Sequence, residues 1–483
     1  MWTAERGPSP RQGRKRTMSA AIDFDPSIIF GPHPAAPRPR AKPPGFFTAY
    51  RAMRDNPITA LSERAFEQPY VRLSRPGGVL LLSEPAAIEH VLVSNAANYR
   101  KSRQQQRRLQ PALGEGLLTA ESDVWRSTRR ITAPLFSPTA IANVYADMEA
   151  AAADMRDRWL EQCWQPTPMD LADEFQRLAY DIVSRTFFSG AVDRDRMLLH
   201  AGMAVYFDTL GRVDLATMLN LPTWLPSPDR FRARKAVALF RSTVDAAVRN
   251  RVHGTNGETD DLLDRMITAV DPKTGRGLDT NAVADNVLTF LAAGHETTGN
   301  ALAWIFYLLA LHPEDEDEVR IEIARAFDGG PVNRDGLDKL VYTKAVINEA
   351  LRLYPPAPFI GREAIEEDRF AGTHVRKGGQ ILISPWVVHR HKALWYAPDE
   401  FSPVRFLGDA ASRIQRGAFL PFGLGPRICI GQRFAMQEIL TVLATVLPAI
   451  RYSLSDPQSV FPQARITLAP RNGLQAFVRP ATR

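Results

Sequence analysis

Cysteine is almost missing from this chain of 483 residues, which has only Cys163 and Cys429. Two thiols cannot build a disulfide framework, which excludes the small disulfide-stapled secreted scaffolds and points to a reducing, cytoplasmic setting. Long apolar runs are missing too. No stretch reaches about 18 continuous apolar residues, so we expect a soluble protein without a transmembrane anchor. The first 20 residues are polar and basic and lack the apolar core of a signal peptide. The formal charge of +7 comes partly from that tail, so it does not argue for a nucleic-acid partner. What is present, 45% hydrophobic and 23% charged residues, is ordinary for a globular protein with a large core.

Residues 1–44 read as a disordered basic and proline-rich segment, with Met18 a plausible initiator. Residues 45–483 read as one domain. Gly45 to Asn56 has an amphipathic helix pattern. Tyr70–Ser74 and Gly78–Ser83 read as a hairpin, and Glu84–Ser94 as a helix with Pro85 in its first turn. Arg100–Arg108 is a basic run, read as a solvated segment or loop, with Arg107 and Arg108 as weak candidates for meeting an acidic group. Residues 138–312 are helical in period, with breaks at 165–168, 221–228 and 253–260. Trp159, Cys163 and Trp164 read as core at a helix end. Arg230, Arg232, Arg234 and Lys235 give a later helix a basic start, compatible with peripheral contact at an acidic membrane.

One loop organises the rest. In Phe422-Gly423-Leu424-Gly425-Pro426-Arg427-Ile428-Cys429-Ile430-Gly431 a lone cysteine sits among glycines ahead of a helix pattern over Arg433–Leu447. Glycines let the backbone wrap tightly, and a helix N-terminus stabilises a thiolate. Phe422, Gly423, Gly425, Arg427, Cys429 and Gly431 fit F-G-x-G-x-R-x-C-x-G at every defined position. The loop resembles the haem-binding loop of the cytochrome P-450 family. That resemblance implies Cys429 as axial thiolate ligand to haem iron, with Phe422 shielding the sulfur side and Arg427 meeting a haem propionate. Such a thiolate pushes electron density onto iron.

Thr280–Leu311 reads as one long buried helix. Within it, Ala293-Gly294-His295-Glu296-Thr297-Thr298 places a glycine, a carboxylate and hydroxyls where a buried helix disfavours them, and broken local rules point to function. Gly294 removes bulk so that a flat group can lie against the backbone, and Thr297 can widen a kink. The run matches the family's (A/G)-G-x-(D/E)-T-(T/S) motif. It implies proton delivery by Glu296, steadying of the reacting oxygen by Thr297, and a cofactor face at Ala293 and Gly294. His295 is read as a wall residue.

Glu349 and Arg352 share a helix face three residues apart, among apolar neighbours, and resemble the family's E-x-x-R pair. Arg405, in a P-x-R-F pattern, would complete a structural triad. Trp125 and Arg129, four apart, look like the family's propionate-binding pair, and Arg362 like its strand arginine. Arg126 and Arg130 are read as solvent or partner contacts. His389-Arg390-His391 departs from the commoner H-R-D, and its histidines are read as surface or turn residues. Residues 194–250, with Met197, Met203, Tyr206, Phe207, Leu210, Met218 and Trp224, are placed like the family's pocket roof.

The resemblance implies a mostly α fold with a small β-rich lobe. It also implies a haem b cofactor and a soluble, bacterial-type, monomeric monooxygenase acting on an apolar organic substrate with O2. Electrons would come from a separate ferredoxin or flavodoxin with its reductase. The alternatives on the same fold are a haem-thiolate isomerase or peroxygenase and a non-enzymatic haem sensor. The intact Glu296-Thr297 pair and the lack of an evident output domain weigh against them.

Overall fold

The computed structural model describes residues 33–73, 78–189, 228–254 and 261–481. The tail with Met18, the turn before Gly78 and the roof residues from Met197 to Trp224 lie outside them. The longest element is the helix expected from the sequence, at the same bounds, Thr280–Leu311. Asp279 caps it by accepting the Ala282 N–H at 2.8 Å, and it ends at His312, ahead of Pro313.

The helices that build the α-rich body are α1 (Phe46–Asp55), α2 (Pro85–Glu89), α3 (Arg103–Leu113), α4 (Ser122–Thr132), α5 (Pro138–Asn143), α6 (Tyr145–Gln162) and α7 (Leu171–Phe188). They are followed by α8 (Pro228–Val252), α9 (Leu262–Thr268), the long helix α10, α11 (Pro313–Phe327), α12 (Arg334–Asp338), α13 (Val341–Leu353), α14 (Pro385–Val388), α15 (Gly408–Ser412) and α16 (Gln432–Val446). α7 lies along α10. At their closest approach a Cβ on Gly299 would stand 2.8 Å from the Gln176 Cα, so only glycine fits. Phe290 meets Phe136 edge to face and Phe187 at a tilt, and Phe187 meets Phe434 edge to face, which ties α7, α10 and α16 together.

The β-rich lobe centres on a five-stranded sheet in the order β1 (Tyr70–Leu73), β2 (Val79–Leu82), β8 (Gln380–Ile383), β5 (Ile360–Ala364), β3 (Tyr99–Lys101). Only β2 and β8 pair in parallel. β6 (Asp368–Phe370) and β7 (Thr373–Val375) form a hairpin, as do β10 (Pro462–Ala464) and β11 (Leu468–Pro470). The third sheet joins β4 (Met169–Asp170), β12 (Gln475–Pro480) and β9 (Ile450–Leu454).

Several expectations change. The proline-rich stretch from His33, grouped above with the tail, is anchored: Ala35 N–H donates to Tyr307 Oη at 3.2 Å and Tyr354 Oη donates back to Ala35 O at 2.8 Å. The basic run at 100–108 is the end of β3 and the start of α3, because Glu363 on the neighbouring strand neutralises Arg100 and Arg103. Trp164 is 82% exposed, since α6 stops at Gln162 and releases it to solvent, whereas Trp159 is fully buried. His389 and His391 are buried, not surface residues. Arg130 is not free for a partner: its guanidinium grips buried Asp271 through two hydrogen bonds of 2.7 and 2.6 Å.

Candidate active site

The cysteine loop is held by its own backbone. Cys429 N–H donates to Phe422 O at 2.8 Å. Gly423 and Gly425 both take φ of 77°, a region other residues rarely enter. A Cβ on Gly425 would fall 1.9 Å from Leu92 O in the turn after α2, so glycine is required there twice over. Gly431 caps α16. Cys429 itself is solvent-accessible, although protein atoms crowd it closely enough to push its thiol pKa up; the Gly431 backbone and the Arg129 guanidinium pull the other way.

α10 carries the second group of expected residues. Between Asn286 and Leu309 it is buried almost throughout, but Ala293 is exposed and Thr297, one turn on, is half-buried. These two share one open face. Gly294 has a second explanation: a Cβ there would lie 3.1 Å from Val183 on α7. Thr297 Oγ1 donates to Ala293 O at 2.5 Å. His295 turns to the α7 side, with Nδ1 on Leu291 O at 3.0 Å and its ring edge-on to Tyr180, as a wall residue would. Glu296 is buried, and desolvation pushes its pKa up to about 8 against a lowering hydrogen bond from Thr467.

Cations gather beside the loop in unusual density. β3–β5 pairing sets Lys101 directly opposite Arg362, both buried. Like charges facing across strands are unfavourable. Arg427 lies over the Trp125 ring at 4.3 Å, donates to Ala120 O at 3.1 Å and pairs with Glu121. Burial first, then the Arg427 charge, lower the pKa of Lys101 and Arg362, the latter to about 10. Arg129 is half-buried nearby, and its pKa too is lowered by burial. In this group of four, Glu121 is the carboxylate that the described residues supply. Buried cations in excess over their counter-ions fit an anionic ligand. A flat group with two carboxylates fits an accessible Cys429, this cation cluster and an open face at Ala293 and Thr297. Arg107 and Arg108 lie half-buried on α3.

Behind the loop the expected triad is assembled. Arg352 and Glu349 are fully buried and joined by two bonds of 2.7 and 2.8 Å, and Arg405 Nε reaches the same carboxylate at 3.2 Å. Arg352 also donates to the carbonyls of His389, Pro398 and Glu400. The sequence reading missed His389, Lys101, Glu121 and Thr467. Their partners lie far away in the chain, so no local pattern marks them.

The family model for Cytochrome P450 matches residues 49–475. The chain is 34% identical over 384 residues to a Streptomyces melanosporofaciens protein named cyclooctat-9-en-7-ol 5-monooxygenase, covering 78% of this chain and 80% of that one. It is 33% identical to the pentalenene oxygenase of Streptomyces avermitilis, over 74% of this chain and 78% of that one. Human cytochrome P450 4A11 is 32% identical, with 78% and 76% covered. The chain belongs to the cytochrome P450 family. It is a haem-thiolate monooxygenase, an oxidoreductase that incorporates one oxygen atom from O2. The mostly α architecture with a small β lobe is the family's fold. No helix among the described residues is long and apolar enough to cross a membrane.

Proposed function

We propose that this cytochrome P450 holds haem b between Cys429 and the Ala293–Thr297 face and hydroxylates a compact, largely apolar molecule. The observation that carries this reading is the pairing of an accessible cysteine in a glycine-bounded loop with a cluster of buried and half-buried cations. Cys429 is the iron ligand, flanked by Phe422, Gly423, Gly425 and Gly431. Lys101, Trp125, Arg129, Arg362 and Arg427 receive the propionates. Bound haem supplies O2 activation. The chain's own residues do the rest: Ala293 and Gly294 leave room beside the cofactor, Thr297 orients the reacting oxygen, and Glu296 gives up a proton. The Glu349–Arg352–Arg405 triad holds the loop in place.

The names of the two Streptomyces relatives, for cyclooctat-9-en-7-ol and pentalenene, support a similarly compact substrate skeleton. A binding screen that follows the haem spin state tests this. Cyclic hydrocarbons or alcohols are expected to shift it, and a response confined to long-chain fatty acids would overturn the substrate class. We place the protein in the cytoplasm as a monomer, receiving electrons from a ferredoxin or flavodoxin at the face that carries exposed Arg126. Arg126→Glu is expected to slow electron transfer and weaken its salt dependence. Unchanged rates would move the docking face elsewhere.

A further inference from the structure

The connector between α3 and α4, residues 114–121, is tied to α10 at one end and to the cation cluster at the other. Gly114 takes φ of 56°, and a Cβ on it would stand 2.1 Å from the Asp285 carboxylate carbon. A Cβ on Gly116 would fall 2.4 Å from Asp285 O. The two glycines let the connector lie directly against the start of α10. There Asp285 Oδ2 accepts the Glu115 N–H at 2.7 Å, and Asn286 Oδ1 accepts the Leu117 N–H at 2.9 Å. The other oxygen of Asp285 accepts from Arg241 Nη2, on α8, at 2.7 Å. Arg241 Nη1 donates to Ala112 O, at the end of α3, at 2.9 Å. One guanidinium thus joins α8, α10 and α3 at the point where the connector begins.

The far end of the connector supplies acceptors to the cations. Lys101 Nζ donates to the carbonyls of Leu117, at 3.3 Å, and Leu118. Arg427 Nη1 donates to Ala120 O at 3.1 Å. Glu121 accepts the Lys101 backbone N–H at 3.0 Å with one oxygen and pairs with Arg427 through the other. An ammonium has three donors. Two of those on Lys101 go to the connector, so the carbonyls fix the direction of the third. Leu117 links the two ends: its N–H is held by α10 and its carbonyl holds Lys101.

We propose that Asp285 and Arg241 are positioning residues for the cofactor edge. They fix the connector, and its carbonyls at Leu117, Leu118 and Ala120 aim the remaining donors of Lys101 and Arg427 at a carboxylate. Cations held in this way lose little further freedom when the carboxylate arrives. The inference rests on the reading of Lys101 and Arg427 as propionate partners. It adds two residues that belong neither to the cation cluster nor to the Ala293–Thr297 face.

The test uses the haem-loaded full-length protein without substrate and has two readouts besides turnover. One is the rate of haem transfer to an excess of a haem-free scavenger protein. The other is the midpoint potential of the haem iron. Lys101→Met sets the reference: losing a cation beside the propionates leaves their charge less balanced, favours ferric iron and lowers the potential. Asp285→Ala and Arg241→Ala are each expected to speed haem loss about ten-fold and to lower the potential in the same direction. The reduced carbon-monoxide band should stay that of a thiolate. In the Lys101→Met/Asp285→Ala double variant the combined effect should be smaller than the sum of the two. Arg251→Ala controls for general loosening of α8. It breaks pairings of 2.9 Å to Asp261 and 2.8 Å to Asp264 at the C-terminal end of that helix, and the potential should not move. An equal shift in Arg251→Ala, or full additivity in the double variant, would overturn the proposal. If Lys101→Met moves both readouts and neither Asp285→Ala nor Arg241→Ala does, the connector's role is wrong and the propionate reading stands. If Lys101→Met moves neither, the propionate reading of Lys101 fails and the connector's role with it.

Discussion

His389 Nε2 accepts the N–H of Leu420 at 2.9 Å, and its Nδ1 meets Arg352 O at 3.1 Å. One imidazole therefore links the end of α13 to the strand of chain that leads into the cysteine loop. Donation by Nδ1 to the carbonyl and acceptance by Nε2 define a neutral ring. Burial first, then the Arg352 charge, push its pKa down to about 3.

The pH dependence follows. A histidine lowered when folded is kept neutral at no cost above its unfolded value of about 6.5, and that contribution is lost as pH falls toward about 3. His389→Leu leaves two buried backbone groups without partners. It is expected to destabilise the protein by about 2–4 kcal/mol at neutral pH, with a smaller gap at pH 4. Urea unfolding at the two pH values measures both. A gap that widens in acid would contradict the neutral assignment.

The fully buried Glu349–Arg352 pair makes a second prediction. Glu349→Ala strands the Arg352 and Arg405 guanidinium groups away from water, which costs about 3–5 kcal/mol. Arg352→Lys keeps the charge but cannot span the carboxylate and three carbonyls at once. It is expected to lose stability and haem retention together, read as the fraction of purified protein that carries haem.

Glu296 gives a prediction of opposite sign to His389. Its pKa is raised to about 8 from 4.5, so the folded state favours the neutral acid. Stability is undiminished below about 4.5 and is lost as pH climbs through about 8, at up to about 1.4 kcal/mol per pH unit. Glu296→Gln removes that titration. Its stability relative to the unaltered protein should rise between pH 5 and pH 8 in thermal melts, and a flat difference would refute a buried neutral acid.

The parts of the fold that were legible in the sequence are those written in local patterns. α10 was legible because it is one long run of helical period, apolar on most faces. The cysteine loop and the Glu349–Arg352 pair were legible because their spacing is short. What escaped depends on distant partners. Arg130 looked like a surface cation because Asp271 stands 141 residues away. Lys101 looked solvated because its place opposite Arg362 is set by strand register. Thr467 sits in an unremarked hairpin turn, and only the folding of that hairpin onto α10 brings it to Asn300. Trp164 failed for a local reason: a helix end two residues earlier was enough to turn an aromatic ring into solvent.

The central claim is that Cys429 holds haem iron as a thiolate, and the absorption spectrum of the reduced protein under carbon monoxide tests it most directly. The unaltered protein is expected to show the long-wavelength band of a thiolate-ligated haem. Cys429→His is expected to lose that band and the monooxygenase activity with it. A Cys429→Ala or Cys429→His protein that kept both would contradict the account.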